Sequence, residues 1–375
     1  MPNKPTHLSA LDGVRGLAIL LVLFHHCTVI IPHSPFEKWL VQLSVLGAHG
    51  VDLFFVLSGF LITGILLYTK GQPGFFKNFY IRRILRISPL YYALVFFSFA
   101  VVPFVLRLHP LGAAKLARFS TVAHDWPWYV FYCSNILIAI KEKFSHGILD
   151  VTWSLAIEEL FYLIWPVVVA FFDKAHLKKI MMSVILLTLI LRIVLWEMHF
   201  SWIQIYVLTF TRIDALAFGC LLALFYEPQS SYRKHDIMFL AVIGVVLSLF
   251  FVNGFFVRES FAMNIIYSLV GLFFFKFIKI ILDAPQGGFL NRIFTTKFLV
   301  TFGRYSYAIY LFHLPVRAII RDLWFGNIQF RSFFGGPVAG QLFFYFLAAS
   351  AAFACAWISW NVLEKHCLSL KRYFE

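Results

Sequence analysis

The sequence predicts an all-α membrane protein of about ten transmembrane helices with both termini cytoplasmic. Three observations carry this reading. The 375 residues are 61% hydrophobic and 13% charged, whereas a soluble domain has about 45–50% apolar and about 25% charged residues. So large an apolar excess cannot be hidden in one globular core beneath a polar skin. Ten apolar runs approach the roughly 20 residues that cross a bilayer, and Lys and Arg gather in alternate loops, which sets orientation.

The runs fall at about 13–31, 51–69, 88–106, 152–172, 180–198, 203–226, 237–253, 262–283, 298–319 and 340–363. The first is long enough to anchor the chain and direct insertion, so no cleavable leader is expected. With the N-terminus inside, the interior receives Lys4, then Lys70, Lys77, Arg82, Arg83 and Arg86. It also receives Lys174, Lys178, Lys179, Arg233, Lys234, Lys276, Lys279, Arg292, Lys297 and the tail residues Lys365, Lys371 and Arg372. The outer loops are poorer, with Arg107, Lys115, Arg118, Lys141 and Lys143 the main cluster. Trp128–Ile140 is apolar but too short to span. Residues 107–150 therefore read as an extracytoplasmic loop whose middle dips into the interface or re-enters the membrane, which suits Trp126, Trp128, Tyr129 and Tyr132.

No linker or internal repeat divides the chain, which reads as one membrane domain over 1–375 with no appended domain. The net charge of +14 follows from the loop clusters, so no nucleic-acid partner is expected. Cys27, Cys133, Cys220, Cys355 and Cys367 are scattered, which indicates neither a disulfide framework nor a metal site.

Charge is costly in lipid, so ionisable residues inside spans are functional candidates. In the first run Arg15 and His26 are eleven residues apart and return to within about 20° of one face, whereas His25 lies about 80° away. His26 can take a proton near neutral pH. Asp52 opens the second span, as a helix-terminus stabiliser or as part of a site, and Ser58-Gly59 allows close helix approach. Arg83 and Arg86 share a face, either as interfacial anchors or as a bidentate phosphate grip. Glu158 and Glu159 open a span in Thr152-Trp153-Ser154-Leu155-Ala156-Ile157-Glu158-Glu159 and could orient an imidazole. Arg212, Asp214 and His313 read as structural pairs.

Together these segments resemble the acyltransferase-3 family of membrane-bound O-acyltransferases. The matching pieces, in family order, are Leu11-Asp12-Gly13-Val14-Arg15-Gly16 with its downstream histidine, Gly50-Val51-Asp52 through Ser58-Gly59-Phe60, and Arg82-Arg83-Ile84-Leu85-Arg86. They continue with Trp153-Ser154 through Glu158-Glu159, Arg212-Ile213-Asp214-Ala215, and Tyr305-Ser306-Tyr307-Ala308-Ile309-Tyr310-Leu311. The resemblance implies a ten-helix domain in a bacterial plasma membrane. It implies transfer of an acyl group, usually acetyl, from cytosolic acetyl-CoA or another acyl-CoA to a carbohydrate hydroxyl outside. Surface polysaccharide, glycolipid and glycosylated small molecules are the acceptor classes; no cofactor is bound permanently.

The family's functional histidine maps to His26 and its paired arginines to Arg83 and Arg86. Asp12, Asp52, Trp153, Ser154, Asp214 and Tyr307 enter as supporting motif residues, with His25 beside the base. Two departures stand out: the doubled His25-His26, and Glu364-Lys365-His366, which has His where the family often has Pro. On this expectation Arg83 and Arg86 hold CoA phosphates, and His26 acts as base or acyl carrier. Glu158 or Glu159 orients it, and Arg15 stabilises the thioester oxyanion or the site's architecture. A transporter or flippase for a sugar or lipid-linked sugar would also need intramembrane charge and ten spans, and is the alternative.

Overall fold

The computed structural model describes residues 9–108, 119–229, 231–254, 256–321 and 336–374. Lys4, Lys115 and Arg118 lie outside them. Among the described residues all regular structure is helical. Within them eight helices are long and apolar enough to cross a membrane, and two shorter apolar ones, Ile213–Phe225 and Ser306–Ile320, match the remaining runs read from the sequence. The chain is a multi-pass, all-α membrane protein.

Helix α1 (Ser9–His26) runs through the centre. A capping box at Ser34, with Pro35 in the first turn, starts α2 (Pro35–Leu46). This helix leads through a short 3-10 turn into α3 (Gly50–Thr69). The hydropathy pattern did not mark α2, because its amphipathic run of 12 residues is too short to register as a span. Helix α4 begins at Phe75, well before its apolar run, and extends to Phe96. Then come α5 (Thr152–Phe171) and α6 (Lys174–Glu197), the latter capped by Asp173. Between α4 and α5 the short helices Trp126–Val130 and Ser134–Lys141 bury Tyr129 and Leu137 against the core, and neither is long enough to span.

Two expected spans are broken. The 203–226 run is a short helix, Trp202–Val207, a turn at Thr209–Thr211, and α7 (Ile213–Phe225). The backbone groups freed at such a break need partners away from water. Arg192 supplies one, donating to the Thr211 carbonyl at 2.7 Å. The 298–319 run is likewise two helices, α10 (Lys297–Arg304) and α11 (Ser306–Ile320), which part at Tyr305. Helices α8 (Lys234–Val252), α9 (Met263–Leu282) and α12 (Pro337–Ser359) complete the bundle. The outer faces of α6 and α8 expose Leu186, Leu187, Val245 and Leu249, as lipid-facing helices should.

Helix α3 lies along α7 and α1, α1 also against α10, and α11 against α12. Small residues set these distances. A Cβ at Gly59 would fall 2.1 Å from the Leu216 carbonyl oxygen, so the Ser58-Gly59 pair does serve close approach. On α10 a Cβ at Gly303 would fall 1.8 Å from the Asp12 carbonyl oxygen of α1. Gly303→Val is therefore expected to push α10 off α1 and to destabilise the protein by at least about 1–3 kcal/mol. Thermal unfolding in detergent reads the effect, and an unchanged midpoint would contradict this packing.

Candidate active site

Helix α1 carries chemistry at both ends, and the two groups of residues are distinct. Arg15 and His26 share its face as expected, but eleven residues of helix separate them by about 16 Å along the axis.

At the Arg15 end, Arg15 pairs with Asp12 at 3.1 Å. It lies within electrostatic reach of Arg83 and Arg86, which α4 projects toward it. The Arg83 guanidinium rests 5.8 Å from the ring centres of both Phe79 and Tyr162. Tyr162 donates to a Glu158 carboxylate oxygen at 2.9 Å, and its hydroxyl meets Ser58. Glu159 lies beside Glu158 with one carboxylate oxygen buried and unpaired. The C-terminal turn Leu370–Phe374 packs on α4 here. Arg82 donates to the Phe374 carbonyl at 2.9 Å, and Lys371 lies within reach of Arg82, Arg83 and Arg86. Neither Arg83 nor Arg86 forms an ion pair among the described residues. Tyr307 ties α11 to this region, donating to the Ile87 carbonyl at 2.7 Å.

The expected contact of Glu158 or Glu159 with His26 is absent. Ser154, at the start of α5, meets the Tyr310 hydroxyl at 2.7 Å near the His26 end. Glu158 lies one turn further along, about 6 Å deeper, and faces Arg83 and Tyr162 instead. Arg15, held by Asp12, is equally remote from His26.

At the other end three imidazoles meet. His313 Nδ1 bonds the Tyr310 carbonyl at 2.6 Å, and His313 Nε2 bonds His26 Nδ1 at 3.0 Å. A carbonyl can only accept, so neutral His313 carries its proton on Nδ1 and offers Nε2 as a lone pair. His26 Nδ1 must then be the donor. Its own Nε2 is left as a lone pair with no partner among the described residues, which is the state a general base needs. His25 differs. Its Nδ1 donates to the Ser44 carbonyl at 3.0 Å, and its Nε2 accepts from Arg258 at 3.1 Å. Both nitrogens of His25 are thus engaged, whereas His26 keeps one without a partner among the described residues.

The end of α1 is fixed from α12. The fully buried Gln341 accepts from the Val29 and Ile30 amides at 2.9 and 3.0 Å and donates to the Cys27 carbonyl at 2.8 Å. Arg258 and Gln341 are the contributions that sequence reasoning missed. His313, singled out as an ionisable residue inside a span and read as one of a structural pair, does pair across helices, and its partner is His26.

The remaining motif residues build the frame. Asp52, buried, joins His49 at 2.8 Å and Arg212. The Arg212 guanidinium lies 3.9 Å from the Tyr267 ring centre. Asp214 pairs with buried Arg192 at 2.8 Å and accepts from Ser268. Arg212 and Asp214 thus sit in buried ion pairs, each with a residue other than its sequence neighbour. Trp153 packs edge-on against Phe55 and beside Tyr206. No cluster of potential metal ligands occurs among the described residues.

Comparison with known proteins gives consistent results. The family described as an acyltransferase domain matches residues 8–361. The protein named O-acetyltransferase OatA from Staphylococcus aureus (strain NCTC 8325 / PS 47) is 29% identical over 340 residues, covering 86% of this chain and 52% of the relative. A protein of Staphylococcus aureus strain COL, provisionally named an O-acetyltransferase, is 28% identical over 392 residues, covering 96% of this chain and 57% of the relative. The chain thus spans about half the length of the curated relatives it matches. No solved structure matches.

Proposed function

The chain belongs to the acyltransferase-3 family, and on that premise we propose that it is an integral membrane O-acetyltransferase. It transfers an acetyl group from cytosolic acetyl-CoA, or another acyl group from its CoA ester, to a hydroxyl of an extracytoplasmic carbohydrate. The acceptor is a surface polysaccharide, a glycolipid or a glycosylated small molecule, and the membrane is the bacterial plasma membrane. The relatives' names support acetyl as the group.

One observation carries the chemical reading: the chain from the Tyr310 carbonyl through His313 to His26, which leaves the His26 Nε2 lone pair free. That nitrogen takes the proton of the acceptor hydroxyl as its oxygen attacks the thioester carbonyl. The carbon–sulfur bond then breaks, and the CoA thiolate takes the proton back from His26. His313 holds the His26 tautomer, the role of the third group in a nucleophile–base pair. At the opposite end of α1, Arg83 and Arg86 form no ion pair among the described residues and suit the CoA phosphates. The pantetheine arm then runs along α1 toward His26. In this reading the donor enters at the Arg15 end, inside, and the acceptor at the His26 end, outside.

The test is thioester consumption by the purified protein in liposomes. Mass spectrometry should find one acyl unit added to an envelope glycan. A transporter would move sugar without consuming acetyl-CoA, and that outcome would sink the enzyme reading. Arg83→Ala and Arg86→Ala are each expected to raise the KM for acetyl-CoA about tenfold to a hundredfold, since a hydrogen bond to a charged group is worth about 1.5–3 kcal/mol. Steady-state thiol release measures this. A fall in kcat at unchanged KM would remove both arginines from donor binding.

A further inference from the structure

Most buried cations of this bundle pair with a carboxylate, and among the described residues two that form no such pair stand beside the reactive imidazole. Arg15 pairs with Asp12, Arg192 with Asp214, Arg212 with Asp52, Lys141 with Asp125, and Lys276 and Lys279 with Asp236. Such pairing is what a buried or half-buried charge requires. Apart from the arginines assigned to CoA, the exceptions nearest the reactive imidazole are Arg258 and Arg317. Both are half-buried, and neither forms an ion pair among the described residues.

Arg258 lies in the segment between α8 and α9. Its guanidinium rests 5.0 Å from the Trp202 ring centre and 5.3 Å from that of Tyr206. It donates from Nη2 to His25 Nε2, a neutral acceptor that leaves its charge unbalanced. Arg317 lies one turn beyond His313 on α11, and its Nε is buried without a hydrogen-bond partner. The two guanidiniums approach from different elements, and both act electrostatically on His26. The His25 and His26 ring centres are 5.1 Å apart, so Arg258 stands one imidazole away from the base.

We propose that Arg258 and Arg317 form a subsite for an anionic group of the acceptor, a carboxylate or a phosphate, carried beside the hydroxyl that His26 deprotonates. The proposal rests on the acyl-transfer reading and narrows its substrate class to acidic glycoconjugates. Both guanidiniums act electrostatically on His26, so an anionic substituent beside a hydroxyl at His26 Nε2 enters the field of both. Their free N–H groups suit planar or tetrahedral oxyanions. The anion also supplies the counter-charge that the fold provides to its other buried cations.

The experiment uses the full chain in liposomes with radiolabelled acetyl-CoA. Envelope material from cells lacking the protein, resolved by anion exchange into neutral and acidic fractions, is the acceptor. Label is expected in the acidic fraction at least tenfold over the neutral one. Arg258→Gln and Arg317→Gln are each expected to lower that transfer about tenfold to a hundredfold, and the corresponding Lys variants to retain more of it. Arg317→Gln, which breaks no hydrogen bond to a histidine among the described residues, guards against an effect that runs only through the Arg258–His25 bond. Amidation of carboxylates and phosphatase treatment of the acidic fraction distinguish the two anions, since only the matching treatment abolishes labelling. Label confined to neutral material, or equal transfer by wild type and Gln variants, overturns the subsite. If wild type labels neither fraction and consumes no thioester, the acyl-transfer reading fails and the subsite with it.

Discussion

Alanine at position 26 is expected to lower acyl transfer by about 10²–10⁴-fold, the usual contribution of a positioned general base, while acetyl-CoA binding is retained. The separation comes from the geometry, because the donor arginines lie at the other end of α1 and do not touch the imidazole. His25→Ala should cost less, since both nitrogens of that ring are committed to Ser44 and Arg258. His313 is a positioning residue, and its substitutions discriminate. His313→Ala frees His26 to change tautomer. His313→Gln offers a carbonyl oxygen that can still accept from His26 Nδ1, and should retain more activity. Initial rates of labelled product formation under saturating acetyl-CoA read all four variants. Equal activity of His26→Ala and wild type would remove the imidazole from the reaction, and equal losses in His313→Ala and His313→Gln would remove the tautomer argument.

The second large effect concerns folding. Asp52→Ala should destabilise the protein by about 3–5 kcal/mol, because it leaves Arg212 as a buried, uncompensated charge. Two nitrogens of Arg212 already lack hydrogen-bond partners, and the faces of Tyr267 and Tyr206 offer only a weaker compensation. Arg212→Ala should cost a comparable amount by stranding the carboxylate. The double variant should cost less than the two singles together, since it strands neither charge. Thermal unfolding of detergent-solubilised protein completes the cycle, and additive losses would show that the pair is not coupled.

The spans were legible because lipid imposes its solvent on every outward side chain, and composition alone registers that. The breaks at Thr209–Thr211 and Tyr305 were not. An apolar window reads the same whether its backbone is straight or turned, and the partner of the first break, Arg192, comes from another helix. Periodicity put Arg15 and His26 on one face of α1, and their spacing already set them about 16 Å apart along the axis; the structure gives the two ends separate partners. The expected contact of Glu158 with His26 depended on the relative depth of two helices. Depth within a span depends on how antiparallel neighbours are staggered, and here the Ser154–Tyr310 contact fixes α5 so that Glu158 faces Arg83. The His26–His313 pair joins residues 287 positions apart, a relation that no local pattern contains.

A catalyst serving two compartments must also keep them apart. Between Arg15 and His25, α1 consists of Gly16-Leu17-Ala18-Ile19-Leu20-Leu21-Val22-Leu23-Phe24, with no side chain that binds a proton. This helix therefore gives protons and ions no stepping stone between its two charged ends. In the proposed reaction the acetyl group travels along it as an uncharged thioester, and the charged parts of the donor stay behind with the arginines. On that proposal, the same apolar stretch that separates the two ends of α1 would let an energised membrane carry out group transfer without discharging its potential through this helix.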